Sequence, residues 1–425
     1  MRSRYQRGVL GILVFLVACA DLAVFSLNPV FSPQTRIGQQ IGDQWEPAVA
    51  ADGYGHVYVL YPQYLVVPGC AECPVPTMML AVSSDNGSTW ESPRALAPLG
   101  SAQFDAQIVV DPLERRTVYA AWLQSGKTDI IVARSTDFGR TWAPVLASRT
   151  PGGADKPVLA VRGTDLYVAY NHEAKLWVAI SHNGGVSYDT VRVNGVGVAG
   201  WAQAGGATVD LAGNAYIAWA SYSGSQGPAS LNVSNSLDGG RDWRTLRLDI
   251  SAAPPGCITE ECGWAYLGPQ ISVASDAAGT LYALWNSGTR TRGPERMYFS
   301  SSTTAGATWS PRAEVSSAGR SVTHAFPAMV AGAVGDVRIA WMDTRNGSLW
   351  NTYYRSSTNG GATWSGETQL SSFVPGYSYI EPGGFKFPFG DYFEMDIDNH
   401  GDTQVVWGEG LRYDSPGSIW HARGR

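Results

Sequence analysis

Charge is scarce in this sequence. Asp, Glu, Lys and Arg make up only 16% of its 425 residues, and the formal net charge is −6. No basic cluster occurs beyond the first few residues, which excludes a nucleic-acid partner held by phosphate contacts. Cysteine is limited to five residues. Neither His172 nor His324 has a neighbour at metal-ligand spacing, so each reads as structural, and no motif asks for a metal or a cofactor. What is abundant is glycine (49) and tryptophan (16). That mixture suits many short strands joined by turns better than helices. The length allows two or three ordinary domains or one repeat architecture.

The first residues read as an export segment. Arg2, Arg4 and Arg7 precede an apolar run from Gly8 to Ala18. Its end, Leu16-Val17-Ala18-Cys19, resembles the bacterial lipobox, in which cleavage exposes a cysteine that is then lipidated. Apolar character resumes after Asp21 and runs to Leu27. Residues 8–27 therefore also suit an uncleaved anchor of about 20 residues; plain secretion is the third reading. All three place the rest of the chain outside the cytoplasm. The expectation is a lipoprotein at the cell surface or in the periplasm, lipidated at Cys19, with residues 1–19 as signal and 20–31 as linker. In an oxidising compartment, Cys70 with Cys73 and Cys257 with Cys262 are expected to form two local disulfides. A four-thiolate zinc site and cross-pairing are the alternatives.

One short stretch recurs. SSDNGSTW (83–90) has relatives in STDFGRTW (135–142), SHNGGVSY (181–188), SLDGGRDW (236–243), STTAGATW (302–309) and STNGGATW (357–364). Each follows one strand-like run and precedes another. A second block lies between these turns. It reads strand, Asp/Gly turn, strand, and it ends at Tyr61, Trp122, Tyr170, Trp219, Trp285, Trp341 and Trp407. One unit is thus four antiparallel strands, a to d, too small to bury both of its faces alone. Radial packing of such units gives a β-propeller. Seven blocks but six turns leave the last unit without strand d, and SPQTRIGQQ (32–40) resembles the other d strands. The expected fold is all-β, a propeller of seven blades over residues 32–425 closed by an N-terminal strand, with six blades as the alternative.

Ser-x-Asp-x-Gly-x-Thr-Trp resembles the Asp-box of the sialidase (neuraminidase) superfamily. AWMDTRNG (340–347) and FGDYFEMDIDNHGDTQVVWGEG (389–410) are similar to recurring blocks of bacterial sialidase-like proteins. The resemblance implies a glycan-recognising propeller of exo-sialidase type, with glycoside hydrolysis. Members of that family use three arginines, a Tyr–Glu pair and an Asp acid/base. Arg36-Ile37-Gly38 stands where the family's first arginine motif has a proline, and its register is that of a closing strand. No motif assigns a complete catalytic set.

The turns themselves read as scaffold. Their third residue is Asp85, Asp137, Asn183, Asp238, Thr304 or Asn359. A catalytic carboxylate tolerates no such replacement, whereas a turn acceptor does. In an up-and-down blade the a–b and c–d turns share one face, so a site is expected on the opposite face, among the longer b–c and d–a loops. Candidates there are Asp343, Arg345, Asp391, Tyr392, Glu394 and Arg412 for chemistry. Arg292, Tyr377, Tyr379 and Glu409 are candidates for ligand contacts. Glu46, Asp105, Lys156 and Gln270 stand at the entrances of other a strands. A glycan or small polar ligand is the expected partner; a protein partner bound by a non-catalytic scaffold is the alternative.

Overall fold

The computed structural model describes residues 28–97, 100–193, 201–223, 227–255, 268–346, 349–372, 390–410 and 417–425. Every element among them is a strand, and the strands form seven antiparallel sheets, which excludes the six-bladed alternative. The a strands are Ala48–Ala51, Phe104–Val110, Ala154–Arg162, Trp201–Val209, Ile271–Ser275, His324–Ala331 and Glu394–Ile397. In blade 2, strand a is followed by Val118–Gln124, Asp129–Ser135 and Ala143–Arg149, each paired with the one before. Blade 7 takes its outer strand from the other end of the chain. Thr35–Arg36 pairs antiparallel with Gly417–Gly424, with Thr35 opposite His421. The paired stretch starts earlier, because Val30 and Arg425 exchange backbone hydrogen bonds.

Seven apolar clusters hold the ring together, one at each blade interface. The aromatic that ends each repeated block, from Tyr61 to Trp407, lies within strand b and is buried. Alternation along each strand sends one set of side chains to the preceding blade and the other to the next.

The repeated turns are self-contained. In the first, Asp85 Oδ1 accepts from the Ser83 hydroxyl and from Thr89 N, both at 2.8 Å, while Gly87 N donates to Ser83 Oγ. Asn183, Asn359 and Thr304 accept the equivalent backbone N–H in their copies. The same bonds, led by those from Thr141, hold Asp137 down at about 2. The turn also touches the preceding blade. Gly139 has φ +75°, and an added Cβ would lie 3.1 Å from the Tyr58 ring of blade 1; at Gly361 it would lie 2.3 Å from Phe299 of blade 5. Glycine is required there by backbone conformation and by close approach together. Tyr58, Tyr216 and Tyr282 in turn donate from their hydroxyls to Asp52, Asp210 and Asp276 of their own a–b turns, each at 2.8 Å. One aromatic therefore braces two turns.

Candidate functional site

The a strands surround a central cavity of about 800 Å³, lined at one end by Lys156, Gln270, Asp391 and Tyr392. Three entrance residues have positive φ: Glu46 (52°), Asp105 (57°) and Lys156 (50°). Phe326 shares the conformation, so it belongs to the blade geometry rather than to any one side chain. Its cause is a register shift at the start of strand a, seen between Phe104 and Gln107, Asp155 and Val158, and Ala325 and Ala328. A bulge of this kind re-aims a side chain. Here it turns the entrance residues toward the axis.

The result is a dense polar cluster. Lys156 Nζ lies 2.5 Å from Asp391 Oδ1, 3.3 Å from Asp105 Oδ1 and 3.4 Å from Glu46 Oε1. It also stands over the Tyr392 ring, 5.1 Å from its centre. Lys127 Nζ extends the network, 2.8 Å from Asp155 Oδ1 and 3.3 Å from Asp105 Oδ2. Gln270 donates to the Asp391 carbonyl, and the Tyr392 hydroxyl donates to the Ala106 carbonyl. Gly390, with φ +66°, keeps the approach clear, since an added Cβ would lie 2.3 Å from Glu46 Cγ.

The environments of the carboxyls differ. Burial pushes Glu46 well above the usual range; Lys156 opposes this, and Asp391 and Asp105 add to the rise. Burial also pushes Asp105 upward, but Lys127 and Lys156 outweigh it and hold Asp105 at about 2. The mouth thus holds two ammonium groups among carboxyls that differ in their hold on a proton, Glu46 raised and Asp105 lowered. Such a set can both donate to and accept from ligand hydroxyls. Among the described residues, no group of three or more His, Cys, Asp or Glu side chains is arranged to hold a metal ion. Lys156 supplies the charge at the point where the carboxylates converge.

Glu394 and Asp396 sit deeper on strand a of blade 7. Glu394 accepts from Gln107 Nε2 at 2.6 Å and from Val49 N, and Asp396 accepts from Ala51 N at 2.7 Å. They stitch blade 7 to blades 1 and 2. Some of their surface meets the narrow channel, yet protein surrounds them. Burial pushes Glu394 up to about 8, against the pull of its hydrogen bonds, and Asp396 up to about 6. A carboxyl raised in this way keeps a proton that the unfolded chain has already released. Stability therefore falls as pH rises from the ordinary carboxylate range through about 8. Glu394→Gln removes that dependence. The urea midpoint of the variant should gain on that of the parent between pH 5 and pH 9; a pH-independent difference would refute the assignment.

Other expected site residues lie elsewhere. Arg345 grips Asp343 through Nε and Nη2 at 2.9 and 2.6 Å, binds Glu367 Oε2 at 2.5 Å and covers the Tyr353 ring at 3.7 Å. Asp343 is fully buried and also accepts from Trp341 Nε1. This pair lies at the end of strand b of blade 6 and ties it to Glu367. Glu409 is buried and accepts from Trp407 Nε1 at 2.7 Å. Arg292 is exposed on the b–c loop of blade 5. Arg36 lies in the closing strand and donates to Ser418 Oγ. His324 is buried, bonded to the Glu295 carbonyl and Ser316 Oγ, and burial lowers it to about 4. His172 bonds the Gly153 carbonyl. Cys70 and Cys73 form a disulfide. Arg412, Tyr377, Tyr379, Cys19, Cys257 and Cys262 lie outside the described residues.

Lys127, Asp155 and Tyr64 were missed from sequence. Tyr64 is stacked on the buried Trp45 at 4.0 Å, and burial, then Glu46, raises its hydroxyl pKa. Asp155 adjoins Lys156 in sequence, which was a usable signal. Lys127 sits in the b–c turn of blade 2 and carried none.

Fold and site together define a seven-bladed β-propeller with a charged cluster at one mouth of its channel. No family model matches the chain, and no curated protein is similar to it in sequence. Among solved structures, it is similar to a protein of unknown function from Dyadobacter fermentans DSM 18053. The identity is 13% and the TM-score 0.55, over 94% of this chain and 99% of that one. The Hadza microbial sialidase Hz136 aligns at 13% identity and TM-score 0.47, over 90% of this chain and 65% of that one. An ulvan lyase, a polysaccharide lyase, aligns at 12% identity and TM-score 0.49, over 93% and 94%. At these identities a likeness concerns the fold alone.

Proposed function

We propose that the chain is an extracytoplasmic, membrane-anchored propeller that recognises a glycan or similar hydroxyl-rich ligand at the loop-face mouth of its channel. The observation that carries this is the buried cluster of Lys156 with Glu46, Asp105 and Asp391, opening on a cavity of about 800 Å³. The mixture of fixed donors and acceptors suits hydroxyl groups better than a single charge. Asp-box-like turns and the export segment support the same reading. Binding rather than hydrolysis is favoured because Arg345 is already engaged by Asp343 and Glu367.

A glycan array probed with the full chain tests this. Bound glycans are expected, with affinity at least tenfold weaker in Lys127→Gln, whose side chain is partly exposed at the cluster's edge. A bound glycan indifferent to Lys127→Gln and Asp155→Asn would place recognition elsewhere. Little or no turnover of a fluorogenic sialoside is expected, and robust turnover would overturn the binding-only reading. A protein partner is the second reading. It is favoured by Ile41, Leu65, Val66 and Val75, four exposed apolar side chains in the blade 1 loops beside the Cys70–Cys73 bridge.

A further inference from the structure

The face opposite the mouth carries its own feature. Turn tips are ordinarily polar, yet Tyr54, Leu113, Leu211 and Val334 stand at the tips of the a–b turns of blades 1, 2, 4 and 6. Their exposures are 58, 58, 60 and 68%. Val186 and Leu237, on c–d turns, are exposed on the same face. None of these side chains contributes to the core. Scattered singly over a surface they would need no explanation, but six of the fourteen exposed large apolar side chains among the described residues share this face.

That face is a braced platform rather than a set of free loops. Asn399 Nδ2 of blade 7 donates to the Gly53 carbonyl of blade 1, and Gly53 N donates to Arg115 O of blade 2. Gly163 N of blade 3 donates to Asp111 of blade 2, and Ala277 N of blade 5 to Gly332 O of blade 6. The c–d turns join through Asn86 N to Gly55 O and Gly360 N to Gly335 O. The apolar tips of blades 1, 2 and 6 are therefore held at fixed positions around the channel exit, and the blade 4 turn is closed by its own bonds to Asp210.

The chain also enters the fold on this side. Val30 bonds Arg425, at the c–d end of the last strand, and Arg425 donates to the His400 carbonyl in the a–b turn of blade 7. Asn28 directly follows the apolar sequence of residues 8–27. An uncleaved anchor would bring the bilayer to the edge of this face. A lipid on Cys19 would leave eight residues, 20–27, which reach at most about 30 Å.

We infer that the a–b/c–d turn face rests on the phospholipid bilayer that the N-terminal segment enters. The apolar tips reach into the headgroup boundary, and the mouth is directed away from the membrane. This rests on the anchored reading above. Exposed charge near the tips is mixed, with Arg115 and Arg116 beside Glu114, so contact depends on apolar insertion rather than on anionic lipid. The orientation presents the ligand site outward, where a large glycan can reach it.

The test uses the full chain in phosphatidylcholine vesicles. A photo-crosslinking amino acid is placed in turn at position 211, 334, 66 or 173, all exposed. Val66 is as apolar as the tips and 49% exposed, but it lies on the opposite face; Glu173 is a polar position on that same opposite face. Labelled phosphatidylcholine should be captured from 211 and 334 several-fold more than from 66 and 173. Equal capture from all four, or preferential capture from 66, overturns the orientation while the anchor stands. A chain that does not float with the vesicles overturns the anchored reading and the orientation with it.

Discussion

Lys156→Met should lower the stability of the folded chain by about 3–5 kcal/mol, read as a fall in the urea midpoint at neutral pH. The ammonium is the shared cation for Asp391, Asp105 and Glu46, and all four side chains are nearly or fully buried. Removing it leaves carboxylates in a low-dielectric mouth with only Lys127 to offset them, and Lys127 reaches Asp105 but not Asp391 among the bonded pairs. Breaking one partner of a buried network costs more than the network contributes, because the remaining charges stay desolvated. The double variant Lys156→Met/Asp391→Asn should therefore lose less than the sum of its singles. A single variant within 1 kcal/mol of the parent, a value on the order of a surface substitution, would mean that water already fills the mouth.

Removing residues 28–37 should have the second large effect. The outer strand of blade 7 would be lost, and the edge of Gly417–Gly424 would be left with unpaired backbone groups. Phe31, edge-on to Tyr354 at 4.8 Å, and Ile37, buried between blades 7 and 1, would go with it. An open ring with a free apolar edge invites pairing with another chain. The expected result is soluble aggregate by size-exclusion chromatography and loss of near-ultraviolet circular dichroism. A monomer with an unchanged midpoint would show that the seven clusters hold the ring without its closure.

Much of this architecture was readable because its determinants are local. Ser83, Asp85, Gly87 and Thr89 complete their turn within seven residues, so the pattern survives as a visible motif. The replacements Asn183, Thr304 and Asn359 pointed to a turn acceptor, and each accepts the turn's backbone N–H, the function that these side chains share with Asp. The missing seventh turn pointed to the closing strand for the same reason. Entrance residues were legible as positions, since aligning the a strands puts Glu46, Asp105, Lys156 and Gln270 in register.

Their chemistry was not legible. Lys156 meets partners 51, 110 and 235 residues away, and only ring closure brings them within bonding distance. Arg345 is a candidate for chemistry in the sequence, beside Asp343 as a possible partner. The structure commits it to Asp343, two residues off, and to Glu367, so its charge is already paired. Glu394 looked like a catalytic carboxylate, but its oxygens accept from Val49 N and Gln107 across two blade boundaries.

The sequence by itself determined the blade, the turn chemistry and the segment that closes the ring, with seven blades expected over six. Each of these is a short-range pattern repeated along the chain, set by period-2 burial and turn stereochemistry. Only the tertiary structure decided which charges share the mouth, which carboxyl keeps its proton and which face carries the apolar tips. Those depend on burial and on neighbours from distant blades, and electrostatic energy in a desolvated site is set by distance in space rather than by position in the chain.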